Sequence, residues 1–333
     1  MSASLCRYLG WNKMELKNYT LDSSFRLMKF SDLTWLNLVL FVLFLVMYLV
    51  ALVANILLIL LQRLDSHLHT PMYFFISHLS FIDIFFTTSI VPKILLILKA
   101  GNTSISFVGC AMQMFFSLTL GVIECILLAV MAYDRHVAIC QPLFYHVRMN
   151  KRICVALVAS CWVPSLMNAF VNTMFIFRLP FCTPRNIKHF FCEMQPMFRL
   201  SCADTHINET LMLATSVVFG LFSFLIVLFS YIHIISTIMK INSSNGKSKV
   251  FSTCSSHLTV VIIYYGTIAI NYTRPLSSHT SDMERVISLL YTVVVPMCNP
   301  CIYSMRNKEV KEAMFKAIVK ISSTLKNSSI ISQ

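Results

Sequence analysis

The chain has 333 residues, of which 57% are hydrophobic and only 12% charged, with a formal net charge of +13 and a mean hydropathy of +0.72. A soluble domain carries about 25% charged residues, so this composition describes an integral membrane protein. It excludes a nucleic-acid binder, because the basic residues sit in short segments between apolar runs and form no stripe on a soluble face.

Residues 1–30 scatter Arg7, Lys13, Lys17 and Arg26 among short apolar stretches and lack the apolar heart of a cleavable signal peptide. The first long apolar run therefore serves as its own insertion signal. A helix needs ~20 apolar residues to cross lipid, and only a helix or a closed barrel satisfies its backbone there. Charge-free gaps mark the spans. The first lies at roughly Leu38–Leu61, between Asp32 and Arg63. The second, Met72–Leu98, contains Asp83 and Pro92-Lys93; the third, Phe107–Tyr133, contains Glu124 and stops at Asp134-Arg135. The fourth falls between Arg152 and Arg178, the fifth between Glu209 and Lys240, the sixth between Lys249 and Arg274, and the seventh between Arg285 and Arg306. The expectation is an all-α membrane protein, a seven-transmembrane helix bundle over 38–304. It follows a 1–37 extracellular segment. After it, 305–333 form a short amphipathic helix, with Val310, Met314, Phe315 and Ile318 near helical spacing, and a Ser-rich cytoplasmic tail.

Seven spans put the termini on opposite sides. Lys and Arg divide almost evenly between the two faces and orient the chain poorly. Cysteines do better: Cys110, Cys182, Cys192 and Cys202 all fall on the face opposite the basic tail, the pattern of an oxidising compartment. Asn18-Tyr19-Thr20 is a glycosylation acceptor on that face. The amino terminus is therefore expected outside, on a multi-pass plasma-membrane protein. Four cysteines permit three pairings; the other cysteines lie in or beside spans and read as small apolar packers.

Asp83 and Glu124 lie inside spans. An unpaired charge there costs several kcal/mol, so each must be protonated, paired or bound to a cation. An acid/base dyad of an enzyme is disfavoured, since the chain has no His-Glu-x-x-His, Gly-x-Ser-x-Gly or Gly-rich phosphate loop. Asp134-Arg135 closes the third span. Arg135 either snorkels to the headgroups or is paired and used.

Four strings carry a resemblance: Leu68–Tyr73 (LHTPMY), Met131–Cys140 (MAYDRHVAIC), Lys249–Leu258 (KVFSTCSSHL) and Pro296–Val310 (PMCNPCIYSMRNKEV). Together they resemble the odorant receptors, a branch of the rhodopsin-like G-protein-coupled receptors, over Asn18 to Met314. His136 stands where that family usually has Tyr, and Ala54-Asn55 stands for its Gly-Asn. Met14-Glu15-Leu16 looks like the usual start, which makes residues 1–13 an upstream extension. The resemblance implies the disulfides Cys110–Cys192 and Cys182–Cys202. It implies a structural sodium ion held by Asp83, Glu124 and Asn299, with a protonated pair sharing a hydrogen bond as the alternative. No other cofactor is expected. It implies an outer ligand cavity lined by Met114, Ser117, Leu118, Gly121 and Val122, by Tyr265, Ile268, Ala269 and Tyr272, and by Leu289 and Thr292. That set suits a small, mostly apolar neutral ligand, and Ser117 disfavours a cationic one. Asp134, Arg135 and Tyr303 would couple the inner end to a heterotrimeric G protein, the stimulatory olfactory α subunit, raising cyclic AMP. Asn299-Pro300-x-x-Tyr303 is expected to break the hydrogen-bond ladder of the seventh helix and to place the Tyr303 phenol near Arg135's end of the bundle, and Gly266 to loosen the sixth helix. A transporter would want internal repeats, and none is visible. A receptor for a non-odorant ligand would use the same pocket logic.

Overall fold

The computed structural model describes residues 24–241, 243–272, 285, 287–306, 309–316 and 319. Asn18, Ile318 and residues 1–13 lie outside them. Among the described residues seven long helices form the bundle: α1 (Thr34–Leu64), α2 (Pro71–Ala100), α3 (Phe107–Cys140), α4 (Lys151–Phe177), α5 (His206–Lys240), α6 (Ser244–Tyr272) and α7 (Ile287–Ser304). Six of these are long and apolar enough to span a membrane, and α6 contributes a shorter apolar stretch, Cys254–Ala269. Outward side chains such as Leu38, Val42, Val46 and Val53 on α1 are exposed. So many exposed apolar groups require lipid rather than water around the bundle.

Local chemistry sets the ends of the helices. Pro71 opens α2 in the first turn, where its missing N–H is harmless, and Gly101 closes it with φ 63°. Ser106 caps α3 by accepting from the Gly109 N–H at 3.0 Å, and Asn150 caps α4 by accepting from the Ile153 N–H at 3.0 Å. The central helix is α3, which packs on α2, α4, α5 and α6, while α7 closes the ring against α1, α2 and α6.

One boundary differs from the sequence expectation: α3 does not stop at Tyr133 but runs on to Cys140, so Asp134 and Arg135 are helical. An apolar run marks the thickness of lipid, not the length of the helix. Pro300 sits inside the helix Val295–Arg306; its missing N–H removes one rung of the ladder, and packing on three neighbours keeps the helix continuous. π segments lie at Leu290–Val294 in α7 and at Ser216–Leu221 in α5. Helix α6 runs through Gly266, which has open space where a Cβ would be.

Residues 309–316 are helical. Val310 and Ala313 are buried, whereas Met314 and Phe315 point outward. The Tyr73 hydroxyl donates to Glu309 Oε2 at 2.7 Å. At the opposite end β1 (Phe25–Arg26) pairs antiparallel with β2 (Ser104–Ile105). Phe25 is fully buried against the rings of Phe107, Phe177 and Phe181. Residues 24–33, just before α1, are thus part of the folded body.

Candidate functional site

The disulfide end is roofed by the segment between α4 and α5. Cys110–Cys192 ties that segment to the start of α3, and Cys182–Cys202 closes it on itself, the pairing the resemblance implied. Gln113 of α3 reinforces the first tie. Its Oε1 accepts from the Cys192 N–H at 3.0 Å and its Nε2 donates to the Ser89 carbonyl of α2 at 3.0 Å. The next residue, Glu193, accepts from the hydroxyls of Ser288 at 3.1 Å and Tyr291 at 3.0 Å on α7, with His189 Nε2 at 3.4 Å. The roof is therefore pinned to α3 and α7, and through Gln113 to α2. Sequence reasoning missed Glu193; an acid directly beside a loop cysteine was the available signal.

Beneath the roof the expected cavity residues divide between two clusters. Met114 and Leu118 pack with Phe25, Cys192, Phe181 and Met197 at the disulfide end. Tyr265, Ile268 and Leu289 belong to the main core of the bundle. Gly121 and Val122 are half-buried, Ala269 is exposed, and the side chain of Tyr272 is outside the described residues. Backbone carbonyls take up most of the hydroxyls: Ser117 donates to Met114 at 3.0 Å, Tyr264 to Gly121 at 2.7 Å and Tyr265 to Cys125 at 3.1 Å. Thr292 differs: it is fully buried, and its hydroxyl has no hydrogen-bond partner among the described residues.

Midway along the bundle the three sodium candidates converge. Asp83 and Glu124 are buried at 0% and 2% exposure. One amide serves both: Asn299 Nδ2 donates to Asp83 at 3.1 and 3.3 Å and to Glu124 at 3.3 Å. The described hydrogen bonds and ion pairs give these acids no basic partner. Two buried carboxylates with one shared donor fit a hard cation, for which Asp83 and Glu124 would supply oxygen; Asn299 as placed turns its N–H groups, not its oxygen, towards them. Nearby, Asn55 Nδ2 donates to Ala51 O at 2.9 Å and to Pro296 O at 3.1 Å, tying α1 to α7.

At the far end Asp134 is fully buried, and its Oδ2 lies 3.8 Å from Arg135 Nε. That separation allows an ion pair but no hydrogen bond. The firm partner of Asp134 is Tyr145, in the turn after α3, whose hydroxyl donates to Oδ1 at 3.0 Å. Burial first, and then the Asp134 charge, hold the Tyr145 phenol above its ordinary range. The buried Tyr303 hydroxyl has no partner among the described residues. His257 Nε2 is 3.2 Å from the Leu128 carbonyl and Nδ1 is 2.7 Å from the Tyr231 hydroxyl. A carbonyl only accepts, so Nε2 carries the proton and Tyr231 donates to Nδ1. This chain joins α3, α5 and α6. The strings flagged His257 only as family resemblance; a histidine inside a charge-free span was the physical signal.

A heptahelical membrane bundle with an Asp-Arg pair at one end and a disulfide-tied roof at the other has the architecture of rhodopsin. The crystal structure of squid rhodopsin superposes with a TM-score of 0.67 over 87% of each chain at 15% identity, a likeness of fold alone. The olfactory receptor family model matches residues 44–321. Olfactory receptor-like protein OLF3 of Canis lupus familiaris is 51% identical over 79% of this chain and 83% of its own. Olfactory receptor 13C9 of Homo sapiens is 48% identical over 90% of this chain and 96% of its own. Olfactory receptor 5G29 of Mus musculus is 47% identical over 92% and 98%. The chain belongs to the olfactory receptor family: a signalling receptor of the multi-pass membrane and not an enzyme.

Proposed function

We propose that this receptor binds a small, mostly apolar neutral odorant in the outer half of the bundle and activates the stimulatory olfactory G protein, raising cyclic AMP. The amino terminus faces the outside of the plasma membrane. Asp83, Glu124 and Asn299 hold a sodium ion that favours the resting packing. Ligand contacts from α3, α6 and α7, with the Thr292 hydroxyl as a polar handle, shift the bundle toward a state in which Arg135 leaves Asp134 and meets the G protein. A ligand moves that equilibrium only by its differential affinity, and going from 1:99 to 99:1 takes about 5.5 kcal/mol.

The observation that carries this reading is the state of the Asp134–Arg135 pair. The acid is fully buried and Arg135 half-buried, yet the two are 3.8 Å apart, with Tyr145 and not Arg135 as the hydrogen-bonded partner of the acid. An arginine held this loosely can change partners at low cost. A volatile panel screened in cells with a cyclic AMP reporter identifies an agonist. Arg135→Ala should then abolish the evoked signal at unchanged surface expression. Retained signalling would remove Arg135 from the mechanism.

A further inference from the structure

A pair of imidazoles stands beside Arg135, and nothing above uses it. His136 follows Arg135 on α3, and His233 approaches it from α5 with ring centres 5.4 Å apart and planes at 67°. His136 Nδ1 is buried and has no hydrogen-bond partner among the described residues, while His233 is exposed. One turn further along both helices Cys140 Sγ and Thr237 Oγ1 are 3.2 Å apart. The two helices therefore run side by side here, and the register that meets 140 with 237 meets 136 with 233.

We propose that His136 and His233 form a bridging site for a transition-metal dication of the zinc class, clamping α3 to α5 next to Arg135. A Zn–N bond is ~2.0–2.1 Å, and a tetrahedral angle between two such bonds puts the ring centres ~5 Å apart, which matches the separation observed. Neutral imidazoles select zinc, copper or nickel over magnesium and calcium. No third His, Cys, Asp or Glu completes a ligand set among the described residues, so water fills the remaining positions from the exposed His233 side. The site is a reversible clamp and not a structural zinc. On the coupling reading above, Arg135 must change partners at this place, and a dication held beside it opposes that step by like charge, so the metal is inhibitory.

The full-length receptor in lipid nanodiscs, titrated with zinc chloride and followed by thermal unfolding, tests the site. The wild-type midpoint should rise and return on adding EDTA. His136→Tyr and His233→Ala should each need ~10²-fold more zinc for the same rise, because a lone imidazole loses the effective concentration of its partner. Should His136→Tyr fold poorly, His136→Gln keeps the polarity without zinc affinity and serves in its place. An equal zinc response in wild type and variants, or none in wild type, overturns the clamp. Agonist-driven nucleotide exchange on added G protein should fall with zinc in wild type alone. Exchange that zinc leaves unchanged, despite a midpoint shift, overturns the inhibitory role. Absence of exchange in every zinc-free sample counts against the coupling reading, while the midpoint shift still decides the clamp.

Discussion

Substituting Asp83 tests whether the central acids hold a cation or share a proton. Asn299 Nδ2 lies 3.1 Å from Asp83 and 3.3 Å from Glu124, so the nearest carboxylate oxygens are no more than ~6.5 Å apart. Two negative charges at that distance repel by about 2.5 kcal/mol at an effective dielectric of 20, and a bound sodium ion offsets this. At tenfold its Kd the ion adds about 1.4 kcal/mol to the folded state, which raises a thermal midpoint by a few degrees. Asp83→Asn keeps the shape, removes one charge and ends the repulsion. The variant should therefore be at least as stable as wild type in choline chloride and gain nothing from sodium chloride. Thermal unfolding of the purified receptor in the two salts is the assay. An undiminished sodium increment in Asp83→Asn would refute the site, and no increment in wild type would leave the protonated pair as the correct description.

Tyr145→Phe should lower the midpoint by the equivalent of about 1–3 kcal/mol, because the buried Asp134 carboxylate loses its hydrogen-bonded partner; thermal unfolding checks it. Phe25→Ala should cost about 3–5 kcal/mol, since the ring is fully buried among three others. Its readout is surface expression by flow cytometry, and an unaffected level would place Phe25 outside the folded core. Thr292→Val should leave stability within about 0.5 kcal/mol, because no described hydrogen bond is lost. It should weaken the response to an odorant that hydrogen-bonds more than the response to its hydrocarbon analogue, measured as a pair of cyclic AMP dose curves.

Much of the fold was legible because lipid imposes a simple rule. Each gap of about twenty residues or more without charge must be helical, and gaps such as 33–62 and 210–239 could be judged by composition alone. Helix ends were less legible: α3 runs on to Cys140 because a helix leaving the membrane needs no apolar sequence. The consequence of Pro300 was likewise not readable in full: it removes a rung as expected, yet the helix stays continuous. Whether a missing rung breaks a helix depends on what packs around it, and α7 is gripped by α1, α2 and α6. The seat of Phe25 in the roof was hidden, since an aromatic in a polar segment does not say which partners await it.

The site was legible in parts. Asp83 and Glu124 announced themselves by their cost in lipid, and their meeting at Asn299 agrees with the resemblance. Glu193, Tyr231, His257 and Tyr145 did not stand out, because each takes its role from a partner on another helix or loop. The same holds for His136. In the sequence it is a substitution for a usual tyrosine, and only in space does it become half of a pair.

What the amino acids decided by themselves was everything governed by transfer between water and lipid: the number of spans, their rough limits, and the isolation of the central acids. Those terms are additive along the chain and can be summed from a string. What tertiary structure alone decided was which groups meet: Arg135 falling short of Asp134, the roof reaching α7 through Glu193, and His136 facing His233. Such contacts depend on the rotation and register of helices far apart in sequence, and packing of the whole bundle sets both.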